Sequence, residues 1–132
     1  MIKSEVQEII NEVYPKIEKY YGFSKYFNCT PFIELHHNIY ERTSGEIYDE
    51  EMLDELECNP DVEFERTQNT IVVYYPKMVS KQLIIETLIH EYQHYLQSPT
   101  WFTRYYNMGF EYNNHPYEVA ATKSESNWKM FA

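Results

Sequence analysis

Apolar residues recur along this chain with two different periods. Ile2, Val6, Ile9, Ile10, Val13 and Ile17 fall at three- and four-residue steps, with Glu5, Glu8, Glu12 and Lys16 between them. One apolar stripe on one face predicts an amphipathic helix, for which Ser4 is a suitable N-cap. Pro15 is expected to kink or split that helix and Gly22 to end it. Elsewhere the period shortens to two. Thr30 to Asn38, Val62 to Arg66 and the β-branched, aromatic run Ile71 to Tyr75 read as strands. Thr67-Gln68-Asn69-Thr70 reads as the turn that makes the last two a hairpin.

Pro76 stops the third strand, Ser80 caps a helix that runs through Leu96, and Pro99 closes it. Trp101 to Tyr112 is crowded with rings and lacks a clean period, so partial helix is expected there. Asn113-Asn114-His115-Pro116 is a stop-and-start signal with Pro116 at the first helical position. A last helix follows through Tyr117, Glu118, Ala120, Ala121 and Trp128 towards Phe131. Tyr48 to Leu56 is expected to form a short acidic helix broken at Asn59-Pro60. The elements add up to a single α+β domain over residues 1–132, with a twisted sheet of three or four strands.

Composition narrows the class. With 132 residues, 43% of them apolar and only three glycines, the chain has the makings of one folded core. Fourteen tyrosines suggest a surface or cleft lined by rings that are apolar on the face and polar at the tip. The net charge of −10 would repel a nucleic acid, so no direct nucleic-acid contact is expected. No run is apolar enough to predict a membrane span, and the first residues lack a signal-peptide pattern. Cys29 and Cys58 are therefore expected as reduced thiols in a cytoplasmic setting. Ten acidic residues and no lysine or arginine lie between Glu46 and Glu65. That run is a solvated face or a surface for a basic protein partner.

The candidate chemistry lies in Leu83 to Leu96, which contains His90-Glu91-x-x-His94. On a helix the two histidines lie one turn apart on one face and can reach a single metal ion. Glu91 projects beside them as a candidate general base. A catalytic zinc needs a third protein ligand. Glu111, Glu118, Glu125 and His115 are the downstream candidates. Glu118 fits best, in the first turn of a proline-started helix, with Ala121 and Ala120 giving that helix a small surface for close approach. The His-x-x-Gly-x-x-His extension that would place a third histidine is absent. His36 and His37 are adjacent, so in a strand they point apart and cannot serve one ion.

His90-Glu91-x-x-His94 followed by Pro116-Tyr117-Glu118-x-x-Ala121 resembles the gluzincin arrangement of zinc peptidases. The order of elements is similar to the minigluzincins, and SprT-like and ImmA/IrrE-like domains share much of that plan. The resemblance covers about Phe32 to Phe131. It implies a zincin-like fold, Zn²⁺ on His90, His94 and Glu118, and Glu91 as general base and acid in hydrolysing a peptide or protein substrate. It also implies a strand along the cleft rim, here Ile71 to Tyr75, that holds an extended peptide. The oxyanion needs a further donor, and Tyr112 or His115 is favoured over Tyr117. Two rival readings are a non-catalytic zinc protein working through Glu46–Glu65, and a structural zinc site closed by a fourth protein ligand.

Overall fold

The computed structural model describes residues 1–44 and 61–132. The expected Tyr48–Leu56 helix and Cys58 lie outside the described residues. Helix α1 spans Lys3–Tyr21 as one continuous element and buries Val6, Ile10, Val13, Tyr14 and Ile17. Ser4 is inside it and Ile2 is the N-cap, without a side-chain cap. Pro15 does not split it. The ring lies on the exposed face, so the Asn11 carbonyl it deprives of a donor also faces solvent, where water can satisfy it. Gly22, at φ 76°, turns the chain out of the helix in a conformation that suits glycine.

Strand β1 (Phe32–His36) is followed by helix α2 (Ile39–Ser44), and β2 (Val62–Glu65) by β3 (Thr70–Tyr74). Among the described residues these strands form a mixed sheet ordered β1-β3-β2. β1 runs parallel to β3, with Ile33 opposite Ile71, and β2 is antiparallel to it, with Phe64 opposite Ile71. The hairpin is as expected, and Asn69, at φ 47°, makes its turn.

The burial patterns of the two hairpin strands explain their places. All five residues of β3 are buried, as suits a central strand covered on both faces, whereas β2 alternates apolar and acidic residues and is half-buried throughout. The rim role expected of Ile71 to Tyr75 is therefore corrected. Both edges of β3 are already paired, and among the described residues β2, like β1, is an edge strand.

Helix α3 spans Lys81–Leu96, with the Ser80 hydroxyl accepting from the Leu83 N–H. A continuous core joins its Ile84, Ile85, Leu88, Ile89, Tyr92 and Tyr95 to α1, to Ile71 and Val73 of β3, and to Phe131. Each such buried aliphatic side chain contributes on the order of 1.5–3 kcal/mol. Some of the tyrosines serve this core, while others, such as Tyr112, are exposed. Tyr14 and Tyr92 donate from their hydroxyls to the Pro31 and Gly22 carbonyls, and Tyr95 accepts from the Ser24 N–H, so each buried ring has its polar tip satisfied.

Pro99 opens a new helix as much as it ends α3. Ser98 caps α4 (Pro99–Asn107), accepting from the Trp101 N–H. Helix α5 spans Pro116–Ser124 with Pro116 in its first turn, then tightens into a 3-10 segment, Glu125–Phe131. Cys29 is a free, exposed thiol. No helix among the described residues is long and apolar enough to cross a membrane.

Candidate metal centre

α3 is buried along one face, and its opposite face carries His90, Glu91 and His94. α5 packs across that face. Ala121 is fully buried between them, and its small side chain lets Glu118, one turn earlier, reach the histidines. Ala120 points to solvent and takes no part in this approach.

Three donor groups converge. Glu118 Oε2 lies 3.1 Å from His90 Nε2 and Glu118 Oε1 lies 3.0 Å from His94 Nε2, while the two Nε2 atoms are 3.2 Å apart. Ligands held at about 2.0–2.1 Å in a tetrahedral array would be spaced about 3.3–3.4 Å apart, so the cluster has nearly the dimensions that an ion requires. The group His90, His94 and Glu118 could hold a metal ion, and among the described residues it has three members, not four.

The other nitrogen of each imidazole is fixed from behind. His90 Nδ1 donates to Glu125 Oε2 at 3.0 Å, and His94 Nδ1 lies 2.7 Å from Gln97 Oε1. Gln97 is in turn held by donation from its Nε2 to the Tyr117 carbonyl at 3.0 Å. Such outer partners select the tautomer whose Nε2 lone pair faces the ion. Neither partner emerged from the sequence. Gln97 was readable only as the residue one turn beyond His94, and Glu125 only as a candidate third ligand, not as a support for His90.

The electrostatics follow from this geometry. Burial opposes charge on His90, but hydrogen bonds to Glu118 and Glu125 and the Glu91 charge overcome it and raise its pKa from 6.5 to about 9. Burial likewise disfavours charge on Glu118, yet the His90 and His94 hydrogen bonds win and lower it from 4.5 to about 2. Without an ion, a proton on His90 Nε2 bridges to Glu118 and occupies the place the metal would take. Glu91 differs. Burial pushes its pKa up to about 7, and the neighbouring histidines only partly offset that.

The centre opens into a cleft of about 420 Å³ whose walls include β2, Arg66, Phe102 and Tyr112. Glu91 lines this cleft beside His90, His94 and Glu118. Tyr112 stands at the mouth, 62% exposed, and burial followed by the Glu118 and Glu91 charges raises its pKa, so it keeps its hydroxyl proton as a donor.

His115 is elsewhere, which corrects its expected place among the oxyanion donors. It is fully buried, its Nε2 donates to the Phe102 carbonyl at 2.8 Å and its Nδ1 accepts from the Tyr117 N–H at 3.1 Å. With both nitrogens engaged, His115 caps α5 and positions Phe102, whose ring lies 5.4 Å from that of His94.

Glu111 is exposed and outside the cluster. Most of the Glu46–Glu65 run lies outside the described residues. Its last two glutamates, Glu63 and Glu65, are 3.4 and 3.8 Å from Arg42, so part of its charge is neutralised within the chain. No family model, curated protein or solved structure matches this chain.

Proposed function

We propose that this chain is a zinc-dependent peptidase with a zincin-like, gluzincin-type plan. One observation carries the reading. Two histidine nitrogens and one carboxylate converge within 3.2 Å, with a glutamate at their side and an open cleft in front. Three protein donors of nitrogen and oxygen type are the set expected of a catalytic zinc, whereas a structural site closes with a fourth. When bound, zinc supplies Lewis acidity towards an amide carbonyl and an attacking water.

The remaining work falls to the chain's own residues. His90, His94 and Glu118 hold the ion, while Glu125 and Gln97 keep the two imidazoles in register. The Glu91 carboxylate takes a proton from the attacking water and returns it to the departing nitrogen, and a pKa near neutrality suits both transfers. Tyr112 offers its hydroxyl to the developing oxyanion from the cleft mouth. The outer edge of β2 pairs with no strand among the described residues, and it offers backbone groups to an extended peptide.

The test joins metal content to turnover. Protein purified without added metal is expected to contain about one zinc per chain and to cleave an internally quenched peptide library. Chelation is expected to remove both, and zinc to restore both. Absence of bound zinc, or cleavage that survives chelation, would sink the proposal.

A further inference from the structure

Among the described residues the cleft wall contains one permanent cation, Arg66, beside several carboxylates. Its guanidinium lies 4.5 Å from the centre of the Phe102 ring and 5.7 Å from that of Phe64, so two aromatic faces fix its plane. Its one hydrogen-bond contact among the described residues is the His94 carbonyl oxygen, at a long 3.5 Å. A guanidinium has five donors, and nearly all of these are left for something else.

Three of the surrounding acids are already engaged, and Glu91, whose charge acts on Arg66 from the same cleft, forms no ion pair with it among the described residues. Glu63 accepts from the Tyr74 hydroxyl at 2.7 Å and faces Arg42, Glu65 accepts from the Thr67 hydroxyl at 2.6 Å, and Glu118 is bound to the two histidines. Arg66 itself forms no ion pair among the described residues. A half-buried guanidinium held flat in a cleft with no carboxylate in direct contact is costly as a packing element, and its planar fork matches a carboxylate with two parallel hydrogen bonds.

We propose that Arg66 recognises a carboxylate on the peptide that enters this cleft, a reading that rests on the peptidase assignment above. Arg66 directly follows the last residue of β2, so it stands at one end of the edge on which the peptide would lie. A peptide paired parallel to β2 brings its C-terminal carboxylate towards Arg66. One paired antiparallel brings an aspartate or glutamate side chain there instead. The recognised chemistry is the same.

Binding without turnover tests this separately from catalysis. The zinc-loaded E91Q protein is titrated calorimetrically with acetyl-pentaalanine bearing a free C-terminus, with its C-terminal amide, and with amides carrying glutamate at each position in turn. At least one carboxylate probe is expected to bind about 10- to 100-fold tighter than the neutral amide. Adding R66Q is expected to erase that preference while leaving affinity for the neutral amide within about twofold. R66M, which keeps an unbranched stem against Phe102, is expected to do the same and guards against a folding defect in R66Q.

Preference for the free C-terminus assigns an end-reading site, and preference for a glutamate amide assigns an acidic side-chain subsite. The proposal is overturned if no carboxylate probe beats the neutral amide, or if the preference survives both Arg66 substitutions. Selective binding by E91Q without hydrolysis by the zinc-loaded wild type would retire the peptidase reading and leave the Arg66 site standing. Hydrolysis without carboxylate selectivity would do the reverse.

Discussion

The two faces of α3 carry the same backbone into opposite environments. On one face Ile84, Ile85, Leu88, Ile89, Tyr92 and Tyr95 are fully buried against α1 and the sheet. On the other, His90, Glu91 and His94 meet the cleft and Glu118 of α5. The first face gains by excluding water. The second holds ionisable side chains out of bulk water, where hydrogen bonds to Glu118 and Glu125 keep charge on His90 while burial disfavours it on Glu91. The apolar face therefore supplies rigidity, and the polar face uses it to hold imidazole nitrogens in fixed positions. A helix docked so firmly by one side can carry a poorly solvated carboxylate on the other.

Substitutions on the two faces should then fail differently. Glu91→Gln is expected to lower peptide turnover about 10²- to 10⁴-fold while zinc content stays at one per chain. Its stability should hold or improve. Burial raises the Glu91 pKa from 4.5 to about 7, so the ionised carboxylate costs the fold stability as pH rises above 4.5, reaching its full value above 7. Turnover unaffected by this change would remove Glu91 from the chemistry.

Leu88→Ala, one turn away on the apolar face, should do the opposite. It is expected to cost about 2–5 kcal/mol in urea denaturation, because Leu88 is fully buried and its loss leaves a cavity. The protein that remains folded should still bind zinc. A stability change below about 1 kcal/mol would mean that the core collapses around the gap.

Glu125→Gln tests whether the support behind His90 matters. It keeps the shape but removes the charge opposite Nδ1, and a 10- to 100-fold weaker zinc affinity by competition with a chelating dye is the expected result. Equal affinity would reduce that contact to a surface ion pair.

The last prediction is the pH dependence. His90 has its pKa raised from 6.5 to about 9, so in the metal-free protein its contribution to stability is full below pH 6.5 and is lost as pH rises through 9. Glu118 is lowered from 4.5 to about 2, so its contribution is present above pH 4.5 and is lost as pH falls towards 2. Zinc displaces the His90 proton. Its affinity is therefore expected to rise about tenfold per pH unit between pH 6 and 8, seen as a growing thermal shift on zinc addition. A shift independent of pH would mean that His90 binds no proton there.

Much of the candidate centre was legible from local pattern. The His90–His94 spacing, the Ser80 cap and the Pro116 start each depend on residues within a turn or two of one another, and a helix converts such spacing directly into direction. The same holds for the hairpin, where Asn69 and two strand-forming runs suffice. Local rules also misled. Ser4 looked like a cap and proved to lie inside α1, whose first turn is closed by the Val6 N–H donating to the Ile2 carbonyl. Pro15 looked like a break, and burial of Val13, Tyr14 and Ile17 on the far face holds the helix through it.

By itself, then, the sequence determined which helix presents two imidazoles and a carboxylate, and which later helix begins with a glutamate in its first turn. Those are consequences of helical period and of proline stereochemistry. Only the tertiary structure decided that β3 is the centre of the sheet and β2 an edge, since strand order depends on pairing between distant segments. Only it set Glu125 and Gln97 behind the histidines, sent His115 inward and left Arg66 facing the cleft. These depend on how α5, the 3-10 segment after it and β2 pack against α3, and on Phe102 of α4 lying against His94. Side chains far apart in the chain share no local rule that could announce their meeting.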